Sequence, residues 1–407
     1  MLFALLVMFG AAHAQQTQMI QVGDHALETV QGGEGEYTVV FEAGFGSDYK
    51  VWGKVASEIA VANKVLLYSR AGCGNSGKSA NPQTLEQAVQ DLSMLLEKAN
   101  INTPLILVGH SYGAFIIRQY AALNKDKVKG MVFVDPAHER LMQELKKVDY
   151  AKAMNDVALQ RSFMPERFKE ENELINQLFE KAALPDAGLL PEVPVAVLTS
   201  VQQHAKPELF LHEPQGVEVW RRLHNEFFAQ FANGAHILTS RSGHNIHKEE
   251  PELVVNAIQQ VIQSATKERQ RQAYQAKVTE LQSKLHTAAA YVKKGQQQKA
   301  EELVFEALAA TGFDEKTINA IGYQQLGNAT DMPVAVLIFK YNAIQYASSA
   351  NAYDSYGEAL MSHGKLKSAK AQFEKAIALA TLNKDTATLK SSENNLAKLK
   401  QQHSAKK

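Results

Sequence analysis

One cysteine, two tryptophans and no surplus of either charge set the first limits on this chain of 407 residues. With Cys73 alone, no internal disulfide can form, so stability must come from burying a core. In its glycine-rich surroundings that thiol reads as a small packed residue rather than a reactive group. Lys and Arg total 43 and Asp and Glu total 43, so no excess of basic charge points to nucleic acid or to an anionic membrane. Beyond the first residues no apolar run is long enough to span a bilayer. Apolar residues make up 45 % of the chain and charged residues 21 %, a globular composition, and the length leads us to expect two or three domains.

The chain starts with what reads as an address. Residues 2–12 are apolar but too few to cross a bilayer, and Ala12-His13-Ala14 has the small-x-small pattern of an export cleavage site, although the usual basic segment before it is missing. A leader over 1–14 is expected, with a mature chain starting near Gln15 and exported to a periplasm or secreted. An uncleaved anchor is the alternative.

From 15 to 266 the pattern alternates between β and α periods. Strands are expected at 27–30, 37–41, 65–68, 105–108, 131–134, 195–198 and 235–238. Helices are expected after Thr84, where Gln87 completes a capping-box spacing, and over 253–262 after Pro251. Such alternation implies an α/β fold, a mostly parallel sheet covered on both faces. One interval breaks it: about 137–190 has helical spacing without strands and would form a cap over the sheet's edge. There Phe163, Met164, Phe168 and Phe179 either line a substrate pocket or form the cap's own core. Residues 267–284 are charged and Gln-rich and read as a helical connector. Over 285–390, Ala300, Ala335 and Ala369 recur at a period of about 34 residues, with Gly295/Gly364 and Ala307/Ala376 two periods apart. This spacing resembles the tetratricopeptide repeat, whose helix pairs would offer a groove to a peptide or partner protein; a structural appendage or dimerisation arm fits equally well. A polar tail is expected over 391–407.

The chemistry concentrates at Gly109-His110-Ser111-Tyr112-Gly113, between an apolar strand and an apolar helix. G-x-S-x-G in that setting is a nucleophile elbow, a turn tight enough to lift the Ser111 hydroxyl clear of the sheet above a helix N-terminus. A serine hydroxyl needs a base, and the base needs an orienting group. Of the 13 histidines, His244 follows the last strand and suits the base; His247 is expected one turn on, beside the site. The orienting acid is expected at Asp135, where a strand ends at Asp135-Pro136, with Glu208 as the alternative. The oxyanion donors are expected to be the N–H groups of Tyr112 and of Phe45, in the loop Glu42-Ala43-Gly44-Phe45-Gly46-Ser47. No metal or organic cofactor is implied.

These segments, together with Ser69-Arg70-Ala71-Gly72-Cys73-Gly74-Asn75-Ser76 and Val132-Phe133-Val134-Asp135-Pro136-Ala137-His138, resemble the α/β-hydrolase superfamily and its capped serine hydrolases, in the expected order. The resemblance covers about 20–262 and implies hydrolysis of an ester or related acyl bond of a small molecule. An aminopeptidase, a lactonase or a carbon–carbon bond hydrolase would use the same parts. Three departures stand out: Glu42 where His often precedes the oxyanion glycine, Ser69 where Asp often precedes the Arg, and no acid after the strand at 195–198. A reading of another class is a non-catalytic scaffold working through the helical repeat. Finally, Gly72-Cys73-Gly74-Asn75-Ser76-Gly77-Lys78-Ser79 matches a phosphate-loop pattern. Such a loop needs a helix starting at its Lys-Ser end, and Asn81-Pro82 intervene here.

Overall fold

The structure, a computed structural model, describes residues 16–327 and 332–404; the expected leader at 1–14 lies outside the described residues. The chain divides into two compact units, Met1–Glu268 and Arg269–Lys407.

The first unit is built on eight strands: β1 (Gln16–Val22), β2 (His25–Gly32), β3 (Thr38–Glu42), β4 (Lys64–Tyr68), β5 (Leu105–His110), β6 (Val128–Val134), β7 (Val195–Ser200) and β8 (Gly234–Thr239). They lie in the order β1-β2-β4-β3-β5-β6-β7-β8. The two β1/β2 and β2/β4 pairings are antiparallel and every other pairing is parallel. Its helices are α1 (Gly53–Ile59), α2 (Leu85–Lys98), α3 (Gly113–Leu123), α4 (Leu141–Val148), α5 (Tyr150–Phe163), α6 (Lys169–Lys181), α7 (Pro214–Phe228), α8 (Ile246–Glu249) and α9 (Pro251–Lys293), which runs through the boundary between the units.

The central strands are apolar on both faces because both faces are covered. Val40, Leu107, Met131 and Val197 pack with α2 and α3 on one side, while Phe41, Val108, Val132 and Leu198 pack with α1 and the start of α9 on the other. Burying each such side chain is worth about 1.5–3 kcal/mol, so two complete cores replace the cross-links that one cysteine cannot supply. The Thr84 hydroxyl accepts from Gln87 N at 3.2 Å and starts α2, six residues past Lys78.

The α/β architecture expected from the sequence is present, with additions that include α1, for which the sequence reading gave no element. β1 begins at Gln16, and α7 occupies a stretch to which the sequence reading gave no element. The buried residues of α7, Gly216, Val219, Trp220, Leu223, His224 and Phe227, do follow helical spacing, but two of them are polar-tipped and blur it. The interval 137–190 holds α4, α5 and α6 and no strand.

The second unit is all helical: α10 (Gln297–Thr311), α11 (Glu315–Leu326), α12 (Met332–Gln345), α13 (Ala350–Ser362), α14 (Leu366–Asn383) and α15 (Thr386–Ser404). Ala300, Ala335 and Ala369 are all fully buried, one each on α10, α12 and α14. A second set of residues keeps the same period. A Cβ at Gly322 would come 2.7 Å from the Phe339 ring, and one at Gly357 2.5 Å from the Phe373 ring, so each glycine seats the aromatic ring of the following helix. The expected polar tail at 391–407 is corrected: through Ser404 it belongs to α15. Ser392, Asn395 and Leu399 are buried, and the polar residues are satisfied by carboxylates, with Ser391 and Ser392 donating to Asp354 and Asn395 to Glu358. Buried polar pairing gives a tail-like composition to a packed helix.

Candidate active site

Ser111 sits between β5 and α3 with φ +50, a left-handed conformation that costs a non-glycine residue about 1–3 kcal/mol and is kept only where the surroundings impose it. The surroundings do impose it. A Cβ at Gly109 would lie 2.9 Å from Gly113 O, and one at Gly113 would lie 2.7 Å from both Glu42 O and Ala43 O. The turn is therefore pressed against the loop after β3. Ala114 N and Ala137 N both donate to Ser111 O, fixing the peptide that follows the serine.

Asp135 follows β6 directly, again with positive φ (+43), and is 2 % exposed. Its Oδ2 is 2.7 Å from His244 Nδ1. Its Oδ1 accepts from Ser200 N at 2.8 Å and from Trp220 Nε1 at 2.9 Å. A carboxylate with two donors on one oxygen presents the other to the imidazole and makes Nδ1 the protonated nitrogen, leaving Nε2 as the free acceptor. His244 reaches this place on the loop between β8 and α8. His110, inside the elbow, holds that loop: its Nε2 lies 2.9 Å from His244 O. The carbonyl can only accept, so His110 Nε2 carries the hydrogen. Burial first, then the neighbouring His244 and His247, keeps the His110 ring well below its ordinary pKa and neutral.

Ser111, Asp135 and His244 line one cavity of about 400 Å³, together with Trp220 and apolar side chains such as Leu141, Phe179, Leu211 and Val217. A second, more open cavity of about 460 Å³ is lined by Phe45, Phe163, Met164 and Glu208, and Gln160 and Leu209 contribute to both. Of the four residues singled out in the sequence, Phe179 lines the first cavity, Phe163 and Met164 line the second, and Phe168, packed against the Phe45 ring, lines a separate cavity of about 140 Å³ beside Gly72 and Lys78. Glu208 is exposed on the second cavity, while Asp135 is the carboxylate on His244. Among the described residues, neither Phe45 N nor Tyr112 N donates a hydrogen bond within the protein. His247 lies on α8, its ring 4.4 Å from that of His110 and 4.6 Å from that of Trp52.

Sequence reasoning passed over Trp220 and the groups around it. His224, one turn further along α7, donates from Nε2 to Pro136 O at 2.7 Å and takes the Thr199 hydroxyl on Nδ1 at 2.8 Å; Thr199 in turn accepts from His236 Nε2 at 2.9 Å. This buried chain braces the turn that carries Asp135. No local motif announces it, since its members are 88 residues apart at the widest bond.

The phosphate-loop look-alike at 72–79 folds otherwise. Gly72 N donates to Gly77 O, Gly77 N to Ala26 O and Asn75 N to the Glu28 carboxylate, so these amides serve protein acceptors rather than an anion. Among the described residues no group of three or more His, Cys, Asp or Glu is arranged to hold a metal ion. Nor, among the described residues, is any helix long and apolar enough to cross a membrane.

A family model described as the alpha/beta hydrolase fold matches residues 37–176. The chain is 31 % identical over 229 residues to the uncharacterized protein YqjL of Bacillus subtilis, covering 56 % of this chain and 85 % of YqjL. It is 34 % identical over 110 residues to an AB hydrolase superfamily protein of Gibberella zeae, covering 26 % of this chain and 34 % of that protein. Among solved structures, a thermophilic esterase from Thermogutta terrifontis is similar with a TM-score of 0.42 and 17 % identity, covering 61 % of this chain and 99 % of the esterase.

Proposed function

Because the chain belongs to the alpha/beta hydrolase family, we propose that it is a serine hydrolase that cleaves an ester or related acyl bond of a small molecule. The observation that carries this reading is the 2.7 Å contact of His244 Nδ1 with Asp135 Oδ2 on the cavity that Ser111 also lines. Ser111 Oγ attacks the acyl carbon as His244 Nε2 takes its proton. The Phe45 and Tyr112 amides stabilise the negative oxygen, and His244 returns the proton to the leaving group. Water, activated by the same imidazole, then releases the acyl group from Ser111. Asp135 keeps the imidazole in the tautomer that both steps require. The apolar walls favour a substrate arm with little charge. In the second unit, the Gly322/Phe339 and Gly357/Phe373 seats support a tetratricopeptide-like reading of its helix pairs.

Intact-mass detection of fluorophosphonate labelling tests the reading. A single adduct is expected on the parent protein and none on Ser111→Ala or His244→Ala. A folded parent that takes no adduct would sink the proposal.

Trp220→Phe keeps the aromatic volume and removes one of the two donors on Asp135 Oδ1. Hydrogen bonds to charged groups are worth about 1.5–3 kcal/mol, so kcat/KM is expected to fall about tenfold or more and the melting temperature by a few degrees. Steady-state kinetics on any cleaved ester checks this, and an unchanged kcat/KM would mean that Ser200 N alone suffices.

A further inference from the structure

Two of the sequence departures, Glu42 before the glycine loop and Ser69 before Arg70, flank one buried guanidinium. Arg70 is 5 % exposed. Its Nη1 donates to Glu42 Oε1 and to Ala43 O, both at 2.6 Å, and its Nη2 donates to Gly44 O at 2.8 Å. Glu42 is buried too, and its other oxygen accepts from the Tyr68 hydroxyl. The guanidinium also lies 5.3 Å from the centre of the Tyr112 ring. One cation thus grips the two carbonyls ahead of Phe45 and packs on Tyr112, the two residues whose amides would hold the oxyanion.

The loop has no slack on its other side. A Cβ at Gly44 would fall 2.7 Å from His110 Nδ1 and 3.4 Å from Ser111 Cβ. The elbow therefore stops the loop from moving inward, and Arg70 stops it from moving outward. A third contact comes from the cap: Glu171 Oε1 on α6 is 3.8 Å from Arg70 Nε, which has no hydrogen-bond partner among the described residues.

We propose that Arg70, held by Glu42, is a positioning residue for the oxyanion hole, and that Glu171 ties the cap to it. This rests on the serine-hydrolase reading above. Peptide planes are rigid, so pinning the carbonyls of Ala43 and Gly44 orients the planes that lead to the Phe45 N–H. An oxyanion donor works only within about 2.7–3.1 Å of the developing charge, which makes small loop shifts costly in rate. Arg suits the task because its planar fork serves several acceptors at once, while a Lys ammonium is a point charge. Settling of the cap on a substrate would bring Glu171 onto Nε and complete the fork with a charge-assisted bond.

The test uses full-length Arg70→Gln, Arg70→Lys and Glu171→Gln, with three probes: fluorophosphonate labelling of Ser111, a trifluoromethyl ketone that forms an oxyanion adduct, and the matching methyl ketone as a ligand that does not. Removing an oxyanion donor costs about 100- to 1000-fold. Arg70→Gln is accordingly expected to slow labelling and weaken the trifluoromethyl ketone about 100-fold while methyl ketone affinity stays within about threefold. Arg70→Lys should lose about tenfold on the same two probes because it keeps the charge without the fork. Glu171→Gln should lose about three- to tenfold at an unchanged melting temperature, as its 3.8 Å contact is longer than a hydrogen bond. If Arg70→Gln fails to fold, the Lys and Glu171 variants decide. Equal losses on both ketones, or none on either in these two variants, would overturn the positioning role. A parent that no fluorophosphonate labels would overturn the serine-hydrolase reading instead.

Discussion

Asp135→Asn is expected to lower kcat by about 10⁴-fold, as loss of the orienting acid does in a serine triad, while Glu208→Gln stays within about twofold. The size of the effect follows from the two donors on Asp135 Oδ1. Ser200 N and Trp220 Nε1 both point hydrogens at that atom, so an asparagine there must place its carbonyl oxygen on them and its NH2 toward His244. Nδ1 would then have to accept, the proton would move to Nε2, and the imidazole could no longer take the Ser111 proton. Shape and packing are preserved, so the melting temperature should hardly change. Glu208 is exposed on the more open cavity and makes no such contact. Steady-state kinetics of the two variants settles the assignment, and the reverse pattern would transfer the role to Glu208.

The first unit is also expected to be acid-labile well above the pH at which its carboxylates protonate. Four imidazoles are buried in the neutral form. Burial pushes His138 and His224 down to about 4 and His247 to about 3, and lowers His110 strongly as well. Their exposures are 6 %, 0 %, 1 % and 4 % in that order, so solvent does not soften the effect. An unfolded histidine titrates near 6.5. Above that value both states are neutral and nothing is lost. Below it the unfolded chain takes up protons that the folded chain refuses, so stability falls as pH drops from about 6.5 toward 4. At pH 5 each such group costs about 2 kcal/mol, on a total of about 5–15 kcal/mol for a typical fold. Glu42, Asp91 and Glu171, which burial raises, act in the opposite sense. The net loss between pH 7.5 and pH 5 is expected to be about 3 kcal/mol or more, a fall of about 6–12 °C in melting temperature.

His247→Phe isolates one contributor. Neither ring nitrogen of His247 has a hydrogen-bond partner among the described residues, and the ring packs on Trp52 and His110. A phenyl ring keeps the packing and removes a buried, unpaired polar group, so it should add about 1 kcal/mol at pH 7.5. It should also recover about 2 kcal/mol of the loss at pH 5. Thermal melts of parent and variant at the two pH values provide the check. Identical slopes against pH would show that His247 does not titrate between the folded and unfolded states.

Local signals were readable wherever a residue's task is set by its neighbours in the chain. The Gly109–Gly113 turn needs glycines because Cβ atoms there would collide with backbone, and that need is written in five consecutive letters. The core strands showed as short continuous apolar runs because both their faces are covered. Asp135 stood out because it ends a strand beside Pro136. By contrast α7 was hidden: its inward face carries Trp220 and His224, whose polar tips bond to groups far away in sequence. The segment after 390 misled for the same reason, since Ser392 and Asn395 are polar yet buried on carboxylates of α13.

The sequence by itself determined the alternating architecture, the place of the elbow and the order of the segments around it, because periodicity and turn chemistry are local constraints. Only the tertiary structure decided which carboxylate meets His244, that Trp220 and Ser200 N complete Asp135, and that Arg70 joins Glu42 to the loop before Phe45. Those are contacts of 2.6–2.9 Å between residues 26 to 109 positions apart. Buried charges and donors must find partners, but nothing along the chain names the partner; the packing of the sheet, the cap and α7 does so.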